Sequence, residues 1–81
     1  MSNTSHSRFV ICVKNAGYLA SLEVRKLYEV LEDAVAEQDG MIRVIDESGE
    51  DYLFPGDMFV AAPLPAAIED AVLHATDESA A

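Results

Sequence analysis

Short apolar runs separated by turn-forming residues constrain the fold of this chain most strongly. The clearest runs are residues 8–14, 41–45 and 58–62, which are rich in β-branched and aromatic side chains. Such runs are typical of β-strands, and residues 8–14 have the composition of a strand buried on both faces. Residues 15–17 contain Asn and Gly and end the first run, while Pro63 ends the last. The pattern therefore predicts a mainly β protein.

The middle of the chain has the pattern of a β-hairpin. Residues 41–45 and 51–54 are two strand-like runs, joined by the polar segment 46–50 with Gly49 at the bend. Pro55 follows the second run and has no amide hydrogen for a sheet, so we expect the strand to end there.

Residues 19–39 fit two alternatives. Apolar residues recur at helical spacing, Ser21 is a candidate N-cap, and Gly40 is a candidate C-cap, so that local propensity slightly favours a helix. These apolar residues are Leu27, Val30, Leu31, Ala34 and Val35. In the other alternative residues 26–31 form a strand after a long loop, and residues 32–39 are a connection with one helical turn.

The 81 residues provide room for one domain with one modest core. We assign residues 8–75 to that domain, residues 1–7 to a flexible tail and residues 76–81 to a frayed end. From Pro65 onward an apolar stripe predicts a short C-terminal helix that docks on the rest of the domain.

Charge limits the partners of the chain. Its 15 acidic against 5 basic side chains give a formal net charge of −10. A surface this negative repels nucleic acids and anionic membranes, since phosphate binding depends on Lys and Arg. The sequence shows neither a signal peptide nor an apolar stretch of membrane-spanning length, so we expect a cytoplasmic protein. The single cysteine, Cys12, cannot form an internal disulfide, and stability must come from packing.

Several segments form a characteristic ordered set, namely residues 21–31, 40–46 and 49–55, followed by Phe59 and Val60. This set resembles a family of small uncharacterised bacterial proteins with an SH3-like barrel. The resemblance covers residues 8 to about 65 and implies that Leu27 to Leu31 is a strand and that the barrel is SH3-like with five strands. With the helix predicted after Pro65, the expected fold is a five-stranded SH3-like barrel with a short C-terminal helix. The family has no assigned activity, so the resemblance informs the fold alone. The chain has no Trp, and polyproline binding of the SH3 type depends on stacked aromatic side chains.

The polar side chains predict no reaction centre. The acidic turn comprises Asp46, Glu47, Glu50 and Asp51. Carboxylates of a turn can converge on a hard cation, but here Ser48 and Gly49 take the third and fourth positions, unlike an EF-hand loop. We therefore expect a solvated turn in which Asp46 or Ser48 binds local backbone amides. His6, His74 and Cys12 have no predictable partner for catalysis or metal binding, so we predict no enzyme, no cofactor and no metal.

Exposed tyrosines are the remaining candidates for recognition. Tyr18 in the long loop and one of Tyr28 or Tyr52 are the best candidates for an aromatic patch. We predict a non-enzymatic interaction module that binds a protein partner or itself through residues 15–25, with the acidic turn 46–51 steering a basic partner. The alternative is a regulator that binds a small ligand or divalent metal at this turn. The candidate partner-binding residues are Tyr18, Tyr28, Tyr52, Asp46, Glu47, Glu50 and Asp51.

Overall fold

Five antiparallel strands form one sheet in the computed structural model, which describes residues 8–75. The strands are β1 (Phe9–Cys12), β2 (Leu27–Leu31), β3 (Met41–Ile45), β4 (Asp51–Pro55) and β5 (Phe59–Ala61). Their order in the sheet is β4-β3-β2-β1-β5. The mainly β prediction and the predicted hairpin are therefore confirmed. The two predicted tails and His6 lie outside the described residues.

The central position of β2 decides between the two alternatives for residues 19–39. Glu29 pairs with Phe9 of β1, and Val30 pairs with Val44 of β3, so the strand has a neighbour on each side. Pairing on both edges outweighs a local helical preference, because strand formation depends on cross-strand contacts and burial. A helix over the whole segment is therefore wrong. Only a short helix, α1 (Ala34–Gln38), follows the strand, as the second alternative predicts.

The sheet is open, because its two edge strands, β4 and β5, do not pair with each other in the order observed within residues 8–75. The predicted closed barrel is therefore not formed. The sheet nevertheless curls, since the first part of β2 pairs with β1 and its second part with β3. A 3-10 turn at Gly56–Met58 joins the edge strands. The rings of Phe54 in β4 and Phe59 in β5 meet with centroids 6.1 Å apart, so the two edges approach each other through side chains.

The core lies inside this curled sheet and includes one residue of the long β1–β2 loop. Its buried members are Val10, Cys12, Leu22, Tyr28, Val44, Phe54 and Phe59. The fully buried side chain of Leu22 fixes the loop to the domain. The loop is therefore a packed part of the domain, which matters because it forms one wall of the site described below.

The C-terminal helix α2 (Ala66–Leu73) forms as predicted, but it buries none of its residues. Ile68, the largest apolar side chain of its first turn, is half exposed. The expected docking of an apolar stripe against the sheet therefore does not bury a face of the helix. Neither helix of residues 8–75 has the length and apolar character needed to cross a membrane.

Candidate functional site

A concave pocket of about 350 Å³ lies between the β1–β2 loop and the β3–β4 hairpin. Residues from the loop, from the hairpin turn and from β4 line it, and they are Tyr18, Ser21, Asp46, Ser48, Tyr52, Leu53 and Phe54. This volume is at the lower end of the range for ligand pockets, which are mostly apolar with a few placed polar groups. The pocket is therefore large enough for a single side chain or a small ligand.

The wall formed by Tyr18 is held from two directions. The carbonyl of Tyr18 accepts hydrogen bonds from the amides of Ser21 and Leu22, at 3.0 and 2.9 Å. Its ring meets the ring of Phe54 edge to face, with centroids 5.2 Å apart. Edge-to-face contact is a favourable geometry for aromatic pairs, so the loop presents Tyr18 in a fixed orientation.

β4 contributes three lining residues, of which Phe54 is buried while Tyr52 and Leu53 are exposed. Tyr52 is 50% accessible to solvent, and the neighbouring Leu53 is 40% accessible. The hydroxyl of Tyr52 donates a hydrogen bond of 3.0 Å to Oε1 of Glu50. This hydrogen bond to a carboxylate raises the pKa of Tyr52 above its usual value, because the bond and the negative charge both favour the protonated phenol. Glu50 thereby holds the hydroxyl of a residue that lines the pocket.

The carboxylate of Asp46 lies in the pocket lining and is almost completely buried, at 7% exposure. Its Oδ1 accepts hydrogen bonds from the amide and the hydroxyl of Ser48, at 2.8 and 2.5 Å. Hydrogen bonds from the side chain and backbone of Ser48 and from the side chain of Ser21 lower the pKa of Asp46, against the opposing effect of burial. Asp46 is therefore a carboxylate anion at neutral pH that closes the hairpin turn.

A second polar cluster joins the loop to the hairpin turn beside the pocket. Tyr28, only 5% exposed, donates a hydrogen bond of 2.5 Å to Oε2 of Glu47 and accepts one of 2.7 Å from the amide of Glu23. Lys26 Nζ lies 2.6 Å from the same Oε2. The hydrogen bonds from Lys26 and then Tyr28 lower the pKa of Glu47. Burial, followed by the hydrogen bond to Glu47, raises the pKa of Tyr28.

The structure thus divides the predicted site residues into two groups. Tyr18, Tyr52 and Asp46 line the pocket, and Glu50 holds Tyr52. Tyr28 is buried in the core, so Tyr52 is the exposed member of the Tyr28 and Tyr52 pair.

The other two acidic candidates are engaged elsewhere. Glu47 is bound in the cluster with Tyr28 and Lys26. Asp51 forms an ion pair with Arg43, whose Nη1 lies 2.9 Å from its Oδ2.

Four lining residues did not emerge from the sequence as site residues: Ser21, Ser48, Leu53 and Phe54. The sequence predicts Ser21 only as a helix N-cap and Ser48 only as a residue of the polar turn, and no sequence signal places them beside the same carboxylate. Leu53 and Phe54 have the pattern of ordinary strand residues. Their position at the pocket depends on how the long loop folds against the hairpin.

Cys12 and His74, which the sequence analysis also considered, lie outside the pocket lining. Among residues 8–75 no group of three or more His, Cys, Asp and Glu side chains is arranged to hold a metal ion. Cys12 is fully buried and donates from Sγ to the carbonyl of Lys14 at 3.1 Å. His74 lies on the exposed end of α2, with Nδ1 at 3.5 Å from a carboxylate oxygen of Asp70.

Neither a protein-family model, nor a curated protein, nor a solved structure matches this chain.

Proposed function

We propose that this chain is an SH3-like interaction module that binds a basic segment of a protein partner in the pocket between the β1–β2 loop and the β3–β4 hairpin. The strand order β4-β3-β2-β1-β5 and the 3-10 turn before β5 support the SH3-like assignment. The curling of the sheet around one core supports the barrel-like shape that the family resemblance implies.

The observation that carries the proposal is the composition of the pocket. Tyr52 and Leu53 offer apolar surface to solvent, and the partly buried Tyr18 lines the same pocket as the buried anion of Asp46. Tyrosine is common at recognition surfaces because it supplies a large contact area with few rotatable bonds. A concave apolar surface with one fixed charge favours a ligand that has both apolar and cationic parts.

Long-range electrostatics favours the same class of partner. The net charge of −10 attracts basic segments and accelerates their association at low ionic strength. Neither Lys26 nor Arg43 lines the pocket. Lys26 binds Glu47 in the neighbouring cluster, and Arg43 binds Asp33 and Asp51.

A random peptide library displayed on phage tests this proposal. Peptides selected on the full chain should be enriched in Lys and Arg, and their affinity should fall as the salt concentration rises. Tyr52→Ala should weaken the selected peptides by about tenfold, which is typical of losing an exposed aromatic anchor. Val35→Ala is the matched control, because Val35 is an exposed apolar residue of α1 outside the pocket lining.

Two results would contradict the proposal. The first is a selection that yields no basic peptides. The second is equal binding of the selected peptides to Tyr52→Ala and Val35→Ala, with both variants folded by circular dichroism.

A further inference from the structure

The buried carboxylate of Asp46 has no cationic partner within residues 8–75. Its hydrogen-bond partners there are Ser48 and Ser21, which are neutral. No basic residue lines the pocket. A buried charge is costly unless a counter-charge or a full set of hydrogen bonds compensates it. The hydrogen bonds stabilise the carboxylate without neutralising it, so Asp46 contributes a net negative charge to the lining of the cavity.

The walls beside Asp46 are suited to a cation as well. Tyr18 and Tyr52 line the same cavity, and an aromatic face attracts a cation placed within about 6 Å of its centre. Glu50 accepts a hydrogen bond from the hydroxyl of Tyr52, so a second carboxylate contacts this lining residue. The cavity thus combines aromatic walls with negative charge and contains no competing basic side chain.

On the basis of the proposed function, we infer that the pocket holds the guanidinium of an arginine from the partner segment, with Asp46 as its counter-ion and the rings of Tyr18 and Tyr52 as its apolar walls. Arginine fits this surface better than lysine for two reasons. Its planar group stacks on aromatic rings, and it is more weakly hydrated than an ammonium group, so it loses less on entering a partly buried pocket.

NMR titration of the ¹⁵N-labelled full chain tests the inference with three short peptides. They are acetyl-Gly-Arg-Gly-amide, its lysine counterpart and its citrulline counterpart, which keeps the shape of arginine without the charge. The arginine peptide should shift the amides of Ser21, Ser48 and Tyr52 in a saturable way. The citrulline and lysine peptides should bind at least about tenfold more weakly, which corresponds to about 1.4 kcal/mol.

Two charge variants provide a matched comparison. Asp46→Asn and Asp57→Asn remove the same charge, but Asp57 lies on the 3-10 turn outside the pocket lining. Arginine binding should fall by about tenfold in the first variant and stay unchanged in the second. Because Asp46 also closes the hairpin turn, Tyr52→Leu serves as a second pocket variant that leaves the hydrogen bonds between Asp46 and Ser48 intact. It should weaken arginine binding several-fold.

The outcomes separate this inference from the proposed function. Equal binding of the citrulline or lysine peptide, or unchanged binding in both pocket variants, would overturn the assignment to arginine. If the phage-selected peptides still contacted the pocket in that case, the interaction module would stand and only the arginine site would fail. If no peptide from either experiment shifted pocket residues, both proposals would fail.

Discussion

Replacing Tyr28 with phenylalanine removes one hydroxyl that joins the β1–β2 loop to the β3–β4 turn. That hydroxyl donates to Glu47 at 2.5 Å and accepts from the amide of Glu23 at 2.7 Å. The ring remains and keeps its edge-to-face contact with Phe59. The substitution therefore isolates the polar connection from the packing of the core.

The expected loss of stability follows from the partners of the hydroxyl. A hydrogen bond to a charged group contributes about 1.5–3 kcal/mol when it is shielded from water. Tyr28 is buried, whereas Glu47 retains its ion pair with Lys26 after the substitution. We therefore expect Tyr28→Phe to lower the free energy of unfolding by about 2 kcal/mol. In a domain of this size that loss corresponds to a fall in Tm of roughly 10 °C.

Urea unfolding followed by circular dichroism measures this loss, with Tyr52→Phe as the control. Tyr52 also donates its hydroxyl to a glutamate, but it does so at the exposed surface, where water replaces the lost bond. Its unfolding midpoint should equal that of the wild type within error.

A double-mutant cycle completes the experiment. The double variant should lose about 1 kcal/mol less unfolding free energy than the sum of the losses in Tyr28→Phe and Glu47→Gln, because each substitution abolishes the same hydrogen bond to a charged acceptor. The reasoning would be refuted if Tyr28→Phe were as stable as Tyr52→Phe, or if the two effects in the cycle were simply additive.

Three further predictions concern the cluster of Tyr28, Glu47 and Lys26, the hairpin turn and the core. The pKa of Glu47 lies below its ordinary value of 4.5 in the folded chain, so its contribution to stability is complete above that value and is lost as the pH falls through the folded pKa. The urea midpoint of Glu47→Gln should accordingly fall less than that of the wild type between about pH 6 and pH 3. Gly49 has a φ of 85° with open space where a Cβ would lie, so Gly49→Ala should cost about 1 kcal/mol in urea unfolding, from backbone strain alone; an unchanged midpoint would count against the observed turn. Cys12 is fully buried, and its thiol should react with Ellman's reagent at least about a hundredfold more slowly in the native chain than in urea; equal rates would place it at the surface.

The β3–β4 hairpin could be predicted because its signals are local. The apolar runs, Gly49 and Pro55 follow one another in the order that a hairpin requires, and the pairing of Ile45 with Asp51 confirms it. The β2 strand could not be predicted from local signals, because the spacing of its apolar residues also suits a helix. Its pairing with both β1 and β3 decides its structure. Among the sequence arguments, the family resemblance alone favours the strand over the helix.

The candidate site was partly predictable for the same reason. Tyrosines and the carboxylates of a turn can be identified in a sequence, and three of them, Tyr18, Tyr52 and Asp46, line the pocket. The different environments of Asp46 and Glu47 could not be predicted from the sequence. These neighbours differ because Ser48 and Ser21 surround one carboxylate, whereas Lys26 and Tyr28 bind the other. Such contacts depend on the loop fold, which no local pattern encodes.

The most direct test of the central claim is an isotope-filtered NMR experiment on the complex with acetyl-Gly-Arg-Gly-amide. If the pocket is the recognition site, the side-chain protons of the arginine will show intermolecular contacts with the ring protons of Tyr18 and Tyr52. Contacts confined to other surfaces, such as α2, or no intermolecular contacts at saturating peptide, would contradict it.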